Sequence, residues 1–129
     1  MFGTALATPF DEDGINIPEF KRFIEFQISN NVDSLIVCGT TGESATMSDD
    51  EKSLAIKCAV KTSNGRVPII VGTGSNDLKK AIYNSIQAEK LEADGLLVVT
   101  PYYNKCTQSR FNWILYKNCK KCVSAHNYL

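Results

Sequence analysis

Along this chain, short apolar runs alternate with longer stretches in which apolar positions recur every three to four residues. The runs are Ser34-Leu35-Ile36-Val37-Cys38, Val67-Pro68-Ile69-Ile70-Val71 and Gly95-Leu96-Leu97-Val98-Val99, preceded by Gly3-Thr4-Ala5-Leu6-Ala7-Thr8, which Pro9 stops. Continuous apolar runs of this length suit strands buried on both faces. Between the first two strands, Phe20, Phe23, Ile24 and Ile28 share one helical face. Leu54, Cys58 and neighbouring alanines do the same further on, as do Leu78, Ala81, Ile82, Ser85 and Ala88. The pattern predicts strands at 4–8, 34–38, 67–71 and 95–99, and helices at 18–30, 49–62 and 76–92.

Local punctuation agrees. Asp11-Glu12-Asp13-Gly14 is a turn. Asn16 can cap a helix whose first turn holds Pro18, where a missing N–H costs nothing, and Asn30-Asn31 ends it. Ser48 and Glu51 form a capping-box pattern, with Asp49 and Asp50 favouring the helix dipole. Gly65 is the expected cap at that helix's far end.

Strand–helix alternation with a repeat of about thirty residues is the signature of parallel βαβ units. The fold class predicted is α/β, an incomplete (β/α)8 TIM barrel comprising about its first four βα units. Each strand runs into a polar loop, which suits a barrel whose chemistry sits at the carboxyl ends of the strands. A doubly wound open sheet is the alternative. Its dinucleotide fingerprint is absent, because Gly72-Thr73-Gly74 lacks the third glycine and a suitably placed acidic residue; that segment reads as a turn.

The loop after the second strand, Gly39-Thr40-Thr41-Gly42-Glu43-Ser44, is the richest in chemistry. Its glycines permit a tight turn and close backbone approach, and adjacent hydroxyls beside free N–H groups can hold a small carboxylate or an oxyanion. A strand-to-helix loop with no ligand has the same composition, and spacing alone leaves both readings open.

Lys plus Arg equals Asp plus Glu at 14 each, so nothing recommends a nucleic-acid or anionic-membrane partner. The first residues lack the basic segment and long apolar core of a signal peptide, and no apolar run approaches a membrane span. Five cysteines, an odd number, fit a reduced cytoplasmic protein better than a disulfide scaffold. No cofactor is predicted.

Three stretches together resemble one family: Gly3-Thr4-Ala5-Leu6-Ala7-Thr8-Pro9-Phe10, the Gly39–Ser44 loop, and Thr100-Pro101-Tyr102-Tyr103-Asn104-Lys105, with Val71-Gly72-Thr73-Gly74 in support. Residues 1–109 resemble the amino-terminal half of dihydrodipicolinate synthases, class I pyruvate aldolases grouped with N-acetylneuraminate lyases. The resemblance implies an oligomeric barrel that condenses pyruvate with aspartate semialdehyde through a lysine Schiff base, in lysine biosynthesis. It implies that Thr40 is a relay hydroxyl, that Thr41 holds the pyruvate carboxylate, and that Tyr103 joins the proton relay of a neighbouring subunit. Asn76 and Tyr102 match the family's lysine feedback site. Lys80 stands where lysine-sensitive relatives carry an acidic residue, so a like charge would repel that effector.

A whole barrel needs about 250 residues. The family's Schiff-base lysine has no counterpart within residues 1–129, so the expectation is a chain inactive alone, completed by a second-half polypeptide. A non-enzymatic half-barrel interaction module with open sheet edges is a second expectation, and an N-acetylneuraminate lyase-like fragment a third. The tail 110–129 does not resemble the family. Regrouping its codons by one base permits an amphipathic helix followed by a β-branched strand, which is what a one-base frameshift near Ser109 would hide. The tail also carries Cys119-Lys120-Lys121-Cys122 and His126, a partial zinc or redox pattern without a fourth ligand. No metal site is predicted. The first and fourth strands should be open edges.

Overall fold

The computed structural model describes residues 2–103, Thr107, Ser109 and the backbone of 122–124. Five strands form one parallel sheet in the order β1-β4-β5-β6-β7, where β1 is Gly3–Ala5, β4 is Ser34–Val37, β5 is Ile69–Gly72, β6 is Gly95–Val98 and β7 is Cys122–Ser124. A two-stranded antiparallel hairpin, β2 (Phe10–Asp11) with β3 (Gly14–Ile15), wraps the predicted turn. The helices are α1 (Ile17–Ser29), α2 (Asp49–Ser63) and α3 (Leu78–Lys90). Each links one sheet strand to the next, and every sheet pairing is parallel, the arrangement that barrel units require.

The helix starts follow from their capping groups. The Asn16 side chain accepts from the Glu19 N–H, and the Ser48–Glu51 capping box is formed in both directions. Asp77 caps α3 by accepting from the Lys79 N–H, so the helix starts two residues later than predicted. The left-handed cap of α2 is Asn64, at φ 48°, one residue before the glycine expected there. Asn can occupy that conformation because its short polar side chain compensates locally.

Alternation along the strands separates two faces. Leu35, Val37, Ile69, Val71, Leu96 and Val98 are buried against the helices, where they meet Phe20, Ile24, Ala55, Ile56 and Ala59. Ile36, Ile70 and Leu97, on the opposite face, are only partly buried. That face corresponds to a barrel interior, which fills with side chains when the sheet closes. The reading of strands covered on both sides therefore holds for one face among the described residues. Leu54 departs from its predicted role: it is 45% exposed, and Ala55, Ile56, Cys58 and Ala59 carry the core face of α2 instead.

The fourth strand is not an open edge, contrary to expectation. β7 pairs alongside it, with Leu96 opposite Cys122 and Val98 opposite Ser124. An extended segment supplied by the tail satisfies the ladder groups of β6. Cys119 and His126 lie outside the described residues, and the proposed change of frame rests on residues that do too, apart from this strand's backbone. Among the described residues no group of three or more His, Cys, Asp or Glu could hold a metal, and no helix is long and apolar enough to cross a membrane.

Candidate functional site

The carboxyl ends of β4, β5 and β6 open into a cleft of about 480 Å³. Its walls come from three loops: Cys38, Gly39, Thr40, Glu43 and Ser44 after β4; Gly72 and Gly74 after β5; Val99, Tyr102 and Tyr103 after β6. Sequence reasoning placed Thr40, Tyr102 and Tyr103 in such loops, and the fold brings all three to one cavity. Thr41 sits beside them in the chain but does not line the cleft, and Asn76, in the loop before α3, does not line it either. The Tyr102 and Tyr103 rings meet edge to face, with centroids 5.8 Å apart. Tyr103 is 98% exposed.

The Gly39–Ser44 loop is a tight, internally bonded turn. The Gly42 N–H donates to the Gly39 carbonyl at 3.2 Å, and the Glu43 N–H donates to the Thr40 carbonyl at 3.0 Å. Thr46 closes the turn onto the Glu43 carbonyl through both its N–H and its hydroxyl. The turn is also tied to the first strand's loop: buried Thr8 donates its hydroxyl to the Gly42 carbonyl at 2.9 Å. At Gly42 a Cβ would stand 3.1 Å from the Leu6 carbonyl and 3.2 Å from the Thr8 hydroxyl, a tight fit that would need those neighbours to give by a few tenths of an ångström.

Backbone strain points to the same place. Six non-glycine residues among those described have positive φ: Asn31, Cys38, Glu43, Asn64, Glu92 and Tyr103. Asn31, Asn64 and Glu92 lie at the ends of α1, α2 and α3, where a left-handed residue terminates a helix. The other three, Cys38, Glu43 and Tyr103, all line the cleft. Left-handed conformations cost L-residues about 1–2 kcal/mol each. Strain that is not helix capping gathers at functional positions when the surroundings over-determine it.

Cys38 was read only as the end of a strand. It is 2% exposed, and burial pushes its thiol up to about 11 against the opposing field of Lys52. At neutral pH it is a protonated, inert wall between the cleft and a smaller pocket whose lining includes Ile56, Val71, Lys52, Tyr83 and Asn84. Thr8, Cys38 and Glu43 are the site-building residues that sequence reasoning missed. Among the described residues the lysines ride on α1, α2 and α3, and none lines the cleft.

The dihydrodipicolinate synthetase family matches residues 2–117, eight residues past the stretch that carried the sequence resemblance. The 4-hydroxy-tetrahydrodipicolinate synthase 1 of Clostridium acetobutylicum is 53% identical over 104 residues, covering 81% of this chain and 36% of that protein. That of Acetivibrio thermocellus is 53% identical over 106 residues, covering 82% and 36%. Among solved structures, the dihydrodipicolinate synthase of Thermotoga maritima superposes with a TM-score of 0.90 at 39% identity, covering 95% of this chain and 43% of that one. The enzyme of Aquifex aeolicus superposes at 0.88 with 37% identity. The chain thus spans about a third of the length of the curated relatives it matches. The parallel βα units, the cleft at their carboxyl ends and these matches agree, and the chain belongs to the dihydrodipicolinate synthetase family.

Proposed function

We propose that residues 1–129 supply the amino-terminal part of a 4-hydroxy-tetrahydrodipicolinate synthase, a cytoplasmic lyase that joins pyruvate to aspartate semialdehyde. The observation that carries this reading is that Thr40 lines a strained cleft at the carboxyl ends of the parallel strands, with Tyr103 exposed on its rim. Imine formation moves protons: an amine adds to the ketone of pyruvate, a proton passes from nitrogen to oxygen, and water leaves. Hydroxyls can carry those protons without holding charge. Thr40 is assigned the relay, with Tyr103 as its partner across a subunit contact; the near-complete exposure of Tyr103 suits a side chain that completes a neighbour's site. Thr41 is assigned the pyruvate carboxylate through its hydroxyl, since the following Gly42 and Glu43 N–H groups are taken up within the turn.

The amine comes from outside this chain's described residues. A Schiff-base lysine must project into the barrel centre, and the lysines on α1–α3 are on the wrong layer. Residues 122–124 add a fifth parallel strand to the sheet, and the remaining strands of a barrel are assigned to a second-half polypeptide or segment. The effector site is assigned to the Tyr102 side of the cleft, with Lys80 on α3 disfavouring a cationic effector.

The test is borohydride reduction in the presence of pyruvate, read by intact mass. It is run on this chain, on a polypeptide carrying the remaining strands of the Clostridium acetobutylicum relative, and on their mixture. The expected result is no adduct on this chain and an adduct on the second polypeptide that the mixture enhances and Thr40→Val in this chain diminishes. A stoichiometric adduct on a lysine of this chain, or a mixture no more reactive than its parts, would overturn the assignment.

A further inference from the structure

Thr8 lies just beyond β1, 7% exposed, and reaches across 34 positions of sequence to bond the Gly42 carbonyl at 2.9 Å. The peptide unit that holds this carbonyl is the one joining Gly42 to Glu43. Its other end, the Glu43 N–H, donates to the Thr40 carbonyl at 3.0 Å. One peptide is therefore pinned at both ends, by a side chain from a different loop and by the turn itself. The torsion that follows it is the φ of Glu43, which is held at 55°, in the left-handed region. A residue there gains by letting the preceding peptide rotate toward an ordinary conformation. Rotation would break both bonds and leave the Thr8 hydroxyl, buried in the protein, without its acceptor, a cost larger than the bond's net worth.

We propose that Thr8 is a positioning residue: its hydroxyl locks the Gly42–Glu43 peptide and thereby holds the turn that presents Thr40 and Thr41. The inference rests on the reading of those two threonines as the relay and carboxylate groups. The lock works without charge and without touching substrate. It ties the loop after the first strand to the loop after the second, so that the hydroxyls are set before any ligand arrives. Preorganisation of this kind matters because a displacement of about 1 Å in a reacting group can cost on the order of a hundredfold in rate.

The experiment uses the whole chain, labelled with nitrogen-15, as wild type, Thr8→Val and Thr8→Ser. Valine keeps the shape and removes the donor; serine restores it. Amide hydrogen exchange is compared at Gly42, Glu43 and Thr46 and in the body of α2 at Ala55 and Ala59, and pyruvate is titrated into each protein. In Thr8→Val the three loop amides should exchange at least tenfold faster while Ala55 and Ala59 keep their rates. Pyruvate affinity should fall at least fivefold, and Thr8→Ser should recover both. Unchanged loop exchange in Thr8→Val would overturn the proposal. So would an equal acceleration in loop and helix that serine does not rescue, which is the signature of a merely structural residue. If wild type gives no pyruvate response, the functional reading of Thr40 and Thr41 fails, and the exchange comparison still decides whether Thr8 locks the turn.

Discussion

The closest approach at the cleft is between the ends of β4 and β5, and replacing Gly72 with alanine tests it. A Cβ built on Gly72 would lie 2.3 Å from the Cys38 carbonyl oxygen, 2.9 Å from the Cys38 carbonyl carbon and 3.1 Å from the Gly39 Cα. Ordinary contact begins at 3.4 Å, so the two strand ends would have to separate by about 1 Å. No flexible side-chain tip is available to yield, since all three neighbours are backbone. The Cys38 carbonyl belongs to a backbone segment already held in a left-handed conformation, at φ 56°. Overpacking of this kind costs about 1–3 kcal/mol, and a backbone obstacle belongs in the upper half of that range. Gly65→Ala is the control: nothing lies within 4 Å of its Cβ position, but its φ is +73°, so it bears only the conformational cost of about 1 kcal/mol. Urea unfolding followed by circular dichroism should show Gly72→Ala losing about 2–3 kcal/mol and Gly65→Ala about 1 kcal/mol, both without a change of slope. A Gly72→Ala chain within about 0.5 kcal/mol of wild type would refute the geometry at the strand ends.

Arg66 forks onto Glu25 and also donates to the Thr62 and Ser63 carbonyls at the end of α2, so Arg66→Ala should lower the unfolding midpoint more than Glu25→Gln, as thermal melts can show. The raised thiol of Cys38 predicts an alkaline weakness: the unfolded chain releases this proton near the ordinary thiol value of 9.0 and the folded chain at about 11, so stability is whole below pH 9 and falls as pH rises to 11. The loss is about 2–3 kcal/mol at ~1.36 kcal/mol per unit, and Cys38→Ala should flatten it in unfolding titrations across that window. Glu51 is held below the usual carboxylate range by the Ser48 N–H and then the Ser48 hydroxyl, so its stabilisation is present above that range and is lost as pH falls through the lowered value. Ser48→Ala should cost about 1 kcal/mol at neutral pH and reduce that acid dependence. Asp94→Ala removes the acceptor for the Ile69 N–H at 2.8 Å and should lower the melting midpoint without altering any response of the cleft to pyruvate, checked by calorimetry and titration on one sample.

The sheet was legible because each strand's apolar run is bracketed by chain-reversing or capping residues, and the helices because their caps are chemically explicit. What escaped notice was either too short to show a period or joined residues far apart in sequence. Two-residue strands at Phe10–Asp11 and Gly14–Ile15 carry no alternation, so only their turn could be read. β1 is shorter than predicted, ending at Ala5, although the Leu6 N–H still donates to the Ile36 carbonyl. One shared pattern went unread: Val32-Asp33-Ser34-Leu35 and Ala93-Asp94-Gly95-Leu96. In the structure each aspartate clasps the neighbouring strand twice. The Asp33 N–H donates to the Phe2 carbonyl and its carboxylate accepts from the Phe2 N–H; Asp94 does the same with Ile69. The spacing of the pattern shows that the two turns are alike, but not which backbone atoms they serve. At the site, hydroxyls beside glycines marked Thr40, and the tyrosine pair marked the loop after β6. Nothing local marked Cys38 or Thr8, whose roles depend on what lies across the strand ends.

The two ends of the sheet are built on different terms. At the amino ends, Asn31 and Glu92 take left-handed conformations to stop α1 and α3, and each is followed two residues later by an aspartate clasp, so the unusual geometry is answered within the same turn. At the carboxyl ends, Cys38, Glu43 and Tyr103 take the same conformation with no helix to terminate. What holds them comes from other strands: Thr8 for the Glu43 turn, and the close fit of Gly72 for Cys38. For Tyr103, almost wholly exposed, no such holding contact is evident among the described residues beyond the ring of Tyr102. A left-handed, exposed aromatic costs free energy in an isolated chain, and it is worth keeping only if something recovers that cost. A surface that buries Tyr103 would do so, and the residue's place on the rim of the cleft means that the same contact would close the site over Thr40. On the proposed reading, Tyr103 is the part of the site that a neighbouring subunit would cover. Thr8 and Gly72 are the contacts that reach its other side from within this chain.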